Sequence, residues 1–250
     1  MRAAFFDVDN TILRGSTIYF LGKGMYKRGF FTKADVSRFM VANLRFRLTG
    51  QEKPEEIDRF KKAATDFIGG HKLEELLIIG QQIYDEYVHP KLWKDAVKIA
   101  QDHIANGDQV WLVTATPEHM ADLIAKNLGM TGAIGTKAEV IDGVFTGNLI
   151  GNMLHGEEKA IAIKKLAADN GLNLQECYAY SDSHNDLPLL QSVGHPCAIN
   201  PDALLRIRAL KEKWKIYEFR RLRWINRILG PAISKFAYIS SYLTPRGKKR

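Results

Sequence analysis

The segment Asp7-Val8-Asp9-Asn10-Thr11 sets two carboxylates two residues apart at the end of a short apolar run. An aspartate can attack phosphorus and become an aspartyl phosphate. A second aspartate two positions on can protonate a leaving group and later activate water. Three further clusters hold residues of matching chemistry: Thr114-Ala115-Thr116, Lys159 in the run GEEKAIAIKKL, and Ser181-Asp182-Ser183-His184-Asn185-Asp186. Carboxylates gathered in one place repel each other unless a cation joins them. Mg²⁺ with a lysine answers that need, because Mg²⁺ prefers carboxylate and substrate-phosphate oxygens. Lys164 and Lys165 compete with Lys159 for the lysine's part. His184 lies between the acids, as readily a bystander as a substrate contact, whereas His119, His155 and His195 read as structural or surface residues. Cys177 and Cys197 read as small core residues, and no zinc-type spacing of Cys and His occurs.

These clusters need elements that carry them to one edge. Residues 3–8, AAFFDV, read as a buried strand that ends in acids. From Gly15 to Val88 the pattern is helical, with Phe39, Leu44 and Leu48, then Leu73, Leu76, Leu77, Ile79 and Ile83, at helical spacing. Thr49-Gly50 and Gly69-Gly70 break it. A helix over 91–105 stops at Asn106-Gly107, and QVWLVTA follows as a strand. Thr116 is the expected N-cap of the next helix, with Pro117 at its first position. Residues 138–150 alternate around Asp142-Gly143 as a hairpin, a helix spans 157–169, and CYAYSD and PCAIN are the closing strands. Strands alternating with helices give an α/β fold: a Rossmann-like parallel sheet with helices on both faces, and a small helical cap inserted after the first strand. The domains are then 1–14 with 89–202 as the core, 15–88 as the cap, and 203–250 as a basic amphipathic extension.

The order DxDxT, a strand ending in a hydroxyl residue, a lysine and a DxxxD segment resembles the haloacid dehalogenase superfamily of phosphatases. The insertion after DVDNTIL, the IDGVFTG hairpin and SDSHNDLPLL resemble its phosphoserine-phosphatase-like branch. The resemblance implies a Mg²⁺-dependent phosphomonoester hydrolase with Asp7 as nucleophile and Asp9 as general acid/base. Asp7, the Asp9 carbonyl and Asp182 would ligate Mg²⁺, and Lys159 would neutralise the phosphoryl group and Asp7. Thr114 and the Ala115 amide would bind the phosphoryl, Asp186 would orient Lys159 or a metal-bound water, and Thr11 and Asn185 would support phosphate and substrate. Two positions depart from the pattern. Asn10 stands where the family most often has Gly, and Ser16 stands where phosphoserine phosphatases carry a Glu for the substrate ammonium. A serine supplies no charge, so phosphoserine is expected to be a poor substrate. A phosphotransferase or mutase with the same intermediate, a membrane-associated lipid-phosphate phosphatase, and a catalytically silent membrane-tethered binding protein are the alternatives.

Composition bounds the rest. The 250 residues are 46% apolar, with no uninterrupted run long enough to span a membrane and acids where the apolar part of a signal peptide would run. Two cysteines make no disulfide framework, so a reducing, cytoplasmic setting is expected. The net charge of +8 divides into +12 over residues 203–250 and −4 over the remainder. Ile207, Leu210, Trp214, Tyr217, Ile225 and Ile228 share a face if 203–229 is one helix; WKIYEF reads alternatively as an edge strand. Gly230-Pro231 breaks the pattern before a second apolar helix over 232–243. Such a tail suits an anionic membrane surface as a peripheral tether, or packing on the body; nucleic acid ranks third, because no binding motif accompanies the charge. Arg45 and Arg47 of the cap are candidates for holding an anionic group.

Overall fold

A computed structural model describes residues 1–30, 32, 37, 41 and 68–220. Phe39, Leu44, Arg45, Arg47, Leu48, the Thr49-Gly50 break and everything after Arg220 lie outside the described residues. A parallel sheet of six strands has the order β3-β2-β1-β6-β7-β8. Its strands are β1 (Ala3–Phe6), β2 (Gln109–Pro117), β3 (Gly132–Thr136), β6 (Tyr178–Ser181), β7 (His195–Ile199) and β8 (Lys215–Tyr217). β4 (Ala138–Ile141) and β5 (Val144–Leu149) form a separate antiparallel hairpin. The described α-helices of nine or more residues are α1 (Thr17–Lys27), α2 (Leu73–Ile83), α3 (Lys94–Ala105), α4 (Glu118–Asn127), α5 (Glu157–Asn170) and α7 (Ala203–Lys211), with α6 (Leu187–Gln191) shorter.

β1 lies near the middle of the sheet with β2 on one side and β6 on the other, so chain order reverses across it. That reversal opens a crevice at the carboxyl end of β1, where open α/β sheets bind ligands. All four residues of β1 are buried, and they alternate between two apolar layers. Ala4 and Phe6 join the layer with Ile83, Leu112 and Ile124, whereas Ala3 and Phe5 join the layer with Ile163, Leu189 and Leu205. A strand apolar on both faces is the expected signature of a covered parallel sheet.

Several turns follow their residue types. Asp142 and Gly143 have φ of 49° and 77°, the left-handed pair that a two-residue hairpin turn requires. α3 ends at Asn106 with Gly107 at φ 78°, and α5 ends on Gly171 at φ 63°. Asp202 accepts from the N–H of Leu205 at 2.8 Å and caps α7.

Two expectations change. Thr116 is not an N-cap: β2 runs on to Pro117, which pairs with Thr136 of β3, and Pro117 itself precedes the first turn of α4. β3 carries no strand signal in the sequence, because Gly132-Ala133-Ile134-Gly135-Thr136 holds two glycines. Packing demands both. A Cβ on Gly132 would lie 2.7 Å from the Trp111 ring, and one on Gly135 would lie 2.5 Å from the Glu118 Cα. Of the two readings of WKIYEF, the edge strand holds: β8 pairs in parallel with β7. Residues 203–229 are therefore not one continuous helix, and Ile207 and Leu210 do not share a helical face with Tyr217.

The described part of 15–88 is helical, and it is stitched to the hairpin. Gly70 N–H donates to the Phe145 carbonyl at 2.7 Å, Phe145 N–H to His71 at 3.0 Å, and Leu73 N–H to Gly143 at 2.8 Å.

Candidate active site

Four strand-end segments meet at the carboxyl edge of the sheet. After β1 the chain folds back at once: the Val8 carbonyl accepts from the N–H groups of Thr11, Ile12 and Leu13. Asn10 makes the reversal possible with a left-handed φ of 58°. Its N–H donates to the Gly15 carbonyl at 3.1 Å, and its Oδ1 accepts from Gly15 N–H at 3.2 Å. Asparagine tolerates this conformation better than other side-chain-bearing residues, which accounts for its presence where glycine is common.

Asp7 is 6% exposed. Lys159 Nζ donates to its Oδ1 at 2.7 Å, and Thr11 Oγ1 donates to its Oδ2 at 3.2 Å. The same ammonium reaches Asp186 Oδ2 at 2.8 Å, and Ser181 Oγ donates to that oxygen at 2.7 Å. Lys159 comes from the first turn of α5, whereas its neighbours Lys164 and Lys165 are exposed. Burial works against the Lys159 charge, but Asp186 and Asp7 outweigh it and hold the ammonium above its ordinary value. Burial, aided by Asp186 and Asp9 and opposed by Lys159, pushes Asp7 up to about 7. Burial with Asp7 and Asp186 nearby pushes Asp182 up to about 8. The site therefore holds more buried carboxylate than its one buried lysine balances.

Asp9 is held differently. Its Oδ1 accepts from both the backbone N–H (2.8 Å) and the Oγ1 (2.6 Å) of Thr17, the first residue of α1. One oxygen is thus fixed against the start of a helix, where a negative charge is favoured.

Thr114 is buried in β2, three residues before its end; its hydroxyl donates to Thr116 Oγ1 and accepts from the Thr116 N–H, both at 3.2 Å. Ala115 follows, its carbonyl accepting from Thr136 Oγ1 at 2.8 Å. Asn185 sits in the short turn His184–Asp186, its N–H on Ser183 Oγ at 3.3 Å. Thr11, Asp7, Lys159 and Asp186 thus form one hydrogen-bonded chain, whereas Asp9 in the loop of Asp7, Asp182 and Asn185 in the segment of Asp186, and Thr114 and Ala115 of β2 make their hydrogen bonds outside it.

Four further residues have no role assigned from the sequence. Thr17 holds Asp9, and Ser181 holds Asp186. Asn200, fully buried at the end of β7, reaches the Asn10 carbonyl with its Nδ2 at 3.5 Å. Arg220 lies 3.7 Å from Asp182. Ser181 and Asn200 did carry a signal, since each is polar at the carboxyl end of an expected strand. Thr17 and Arg220 carried none.

Among the described residues no three His, Cys, Asp or Glu side chains converge as a ready-made metal cage. The donor set implied for Mg²⁺ needs no such trio. It consists of two carboxylates, Asp7 and Asp182, and the Asp9 backbone carbonyl, all hard oxygens with surplus negative charge. Mg²⁺ commonly takes one or two carboxylates and completes its shell with water and phosphate, so these residues fit it.

The remaining candidates read as structural. His119 packs edge-on to Phe145, and His195 stacks on Tyr178 at 4.5 Å. Cys177 and Cys197 are buried free thiols, both raised by burial, Cys197 to about 11. No helix among the described residues is long and apolar enough to cross a membrane.

The family model described as haloacid dehalogenase-like hydrolase matches residues 4–191. A Mycobacterium tuberculosis protein named phosphoserine phosphatase SerB1 is 47% identical over 92% of this chain and 75% of its own length. A Neisseria meningitidis protein named histidinol-phosphatase is 31% identical over 87% of this chain and 98% of its own. A crystal structure of a Bordetella pertussis protein of unknown function superposes with a TM-score of 0.77 at 28% identity, covering 86% of this chain and 97% of that one.

Proposed function

The chain belongs to the haloacid dehalogenase-like hydrolases and is a phosphatase, and from that premise we propose that it hydrolyses a small phosphomonoester with Mg²⁺ through a phospho-aspartate on Asp7. The observation that carries this reading is the buried Lys159 ammonium bridging Asp7 and Asp186 at 2.7 and 2.8 Å. It fixes one Asp7 oxygen and leaves a charged donor beside the place where phosphoryl charge builds up.

In the first half-reaction an Asp7 carboxylate oxygen attacks phosphorus as the ester P–O bond breaks. Asp9, oriented by Thr17, gives its proton to the departing alkoxide. In the second, Asp9 takes a proton from water as that water attacks the aspartyl phosphate, and the P–O bond to Asp7 breaks to release phosphate. Lys159 stabilises charge on the phosphoryl in both, and Asp186 with Ser181 keeps it aimed. Thr114, the Ala115 amide, Thr11 and Asn185 bind the phosphoryl and substrate. Mg²⁺, held by Asp7, Asp182 and the Asp9 carbonyl, would supply charge neutralisation of the transferring group.

Phosphoserine and histidinol phosphate, named for two relatives, are both phosphomonoesters bearing an amine. Ser16, half-buried at the N-cap of α1, offers no charge to such an amine, which supports a substrate other than phosphoserine. Phosphate release from a panel of amino-acid, amino-alcohol, sugar, nucleotide and lysophospholipid phosphates, with Mg²⁺ and with chelator, tests the reading. No Mg²⁺-dependent release from any ester would refute it. A clear preference for phosphoserine would refute the role given to Ser16.

A further inference from the structure

The family match ends at residue 191, yet a residue well beyond it faces the site. Asn200 closes β7 with a left-handed φ of 47° and is fully buried. Its Oδ1 accepts from the N–H groups of Phe219 (2.8 Å) and Arg220 (3.2 Å), its own N–H donates to the Tyr217 carbonyl at 2.8 Å, and its Nδ2 points at the Asn10 carbonyl. One amide thereby ties the chain after β8 to the loop that carries Asp7 and Asp9. The Phe219 ring adds a second tie beside Trp93 at 6.4 Å, and Trp93 N–H donates to the Ile12 carbonyl of the same loop at 2.8 Å. The consequence is the placement of Arg220, whose guanidinium lies 3.7 Å from Asp182 Oδ2.

Asp7 and Asp186 pair with the buried Lys159, and Arg220 is a further, half-exposed cation beside Asp182. We propose that Arg220 is a positioning residue that acts through Asp182 to set the charge balance of the active site, favouring the phosphate dianion and restraining affinity for the divalent cation. This rests on the phosphatase reading above. The physics fixes the signs. A unit positive charge beside Asp182 repels a second cation there and attracts a dianion close by, so removing it moves the two affinities in opposite directions. A purely structural role would weaken both together. The Arg220 side chain is 48% exposed, so water and salt screen its charge and the effects are modest.

The test uses the full chain at fixed ionic strength. Mg²⁺ affinity is read from Mg²⁺-dependent thermal shift, without turnover, and inorganic phosphate affinity from product inhibition. In R220A, Mg²⁺ should bind roughly twofold to fivefold tighter and phosphate weaker by a similar factor, the scale of a half-exposed ion pair. R220K should restore both, and both effects should shrink as salt rises. K211A removes an exposed lysine at the far end of α7 and should change neither. Should R220A unfold, R220Q, which keeps length and loses charge, carries the same expectations. The proposal is overturned if both affinities weaken together, if neither moves, if R220K behaves as R220A, or if K211A produces the same shifts. An absence of Mg²⁺-dependent phosphate release in the wild type would instead refute the phosphatase reading, which keeps the two failures apart.

Discussion

Asp7→Asn should abolish turnover and, in the metal-free protein, stabilise the fold. Asp7 is 6% exposed and is pushed from 3.8 up to about 7, chiefly by burial and next to Asp186 and Asp9, against the pull of Lys159. Each pKa unit corresponds to about 1.4 kcal/mol, so ionised Asp7 costs up to about 4 kcal/mol at pH 8. The sign follows from the raised value. Stability is fully present below the unfolded-state pKa and is lost as pH climbs through about 7. An amide carries no charge to desolvate, can accept from Lys159 through its oxygen while its NH2 donates to Thr11 Oγ1, and leaves Lys159 its 2.8 Å partner on Asp186. Relaxation and water will recover part of that cost in the wild type, so the expected gain is on the order of 1–3 kcal/mol at pH 8. For a chain of this size that is roughly 2–10 °C in Tm. The gain should be near zero at pH 4, grow to pH 7 and level off above it. Thermal and urea unfolding in chelator at several pH values, alongside phosphate release, provides the measurement. A variant less stable than wild type at pH 8, a gain independent of pH, or turnover above about one part in a hundred would refute the reasoning.

Asp9→Asn should slow turnover by roughly 10²–10⁴-fold, with the deficit reduced for an aryl phosphate whose leaving group needs no proton; an equal deficit for all leaving groups would remove Asp9 as the acid. Ser16→Glu should raise kcat/KM for phosphoserine relative to neutral phosphate esters, and an unchanged ratio on a substrate panel would show that the N-cap of α1 does not face the amine. Gly135→Ala should destabilise by about 1–3 kcal/mol, because the new Cβ would lie 2.5 Å from the Glu118 Cα and 2.8 Å from the Thr116 carbonyl oxygen. Urea unfolding measures that loss, and a neutral result would show that α4 can shift freely against β3.

Much of the fold was legible because the sheet's demands are local and repetitive. β1, β2, β6 and β7 are short apolar runs closed by polar residues, and two of the helices between them, α3 and α5, stop at Asn-Gly pairs whose glycine adopts left-handed backbone. β3 was hidden because its glycines serve close packing against Trp111 and α4, a demand set by residues 15 or more positions away. The Thr116 cap failed for a similar reason. Thr-Pro-Glu is a sound local signal for a helix start, but pairing with β3 keeps Thr116 in the strand. β8 could be told from a continuing helix only by its partner strand, since three residues carry too little pattern.

The site divides along the same line. Asp7, Lys159 and Asp186 stood out in the sequence because the proposed chemistry demands charged residues, and two strand ends and the first turn of α5 bring them together. Residues that hold those groups in place did not, because holding needs only a hydroxyl or an amide at the right spot. Thr17 fixes Asp9 from the start of α1, and Ser181 fixes Asp186 from the strand preceding it. Asn200 goes further, since one buried side chain joins the loop of Asp7 and Asp9 to the segment that places Arg220 beside Asp182. Lys159 shows why such support is needed. Its ammonium is held in a buried site by carboxylates within hydrogen-bond reach, and the excess of buried carboxylate is itself tolerable only while the ammonium stays. A mutually dependent cluster of this kind tolerates little displacement, so positional accuracy has to come from neutral neighbours that do not disturb the charge balance.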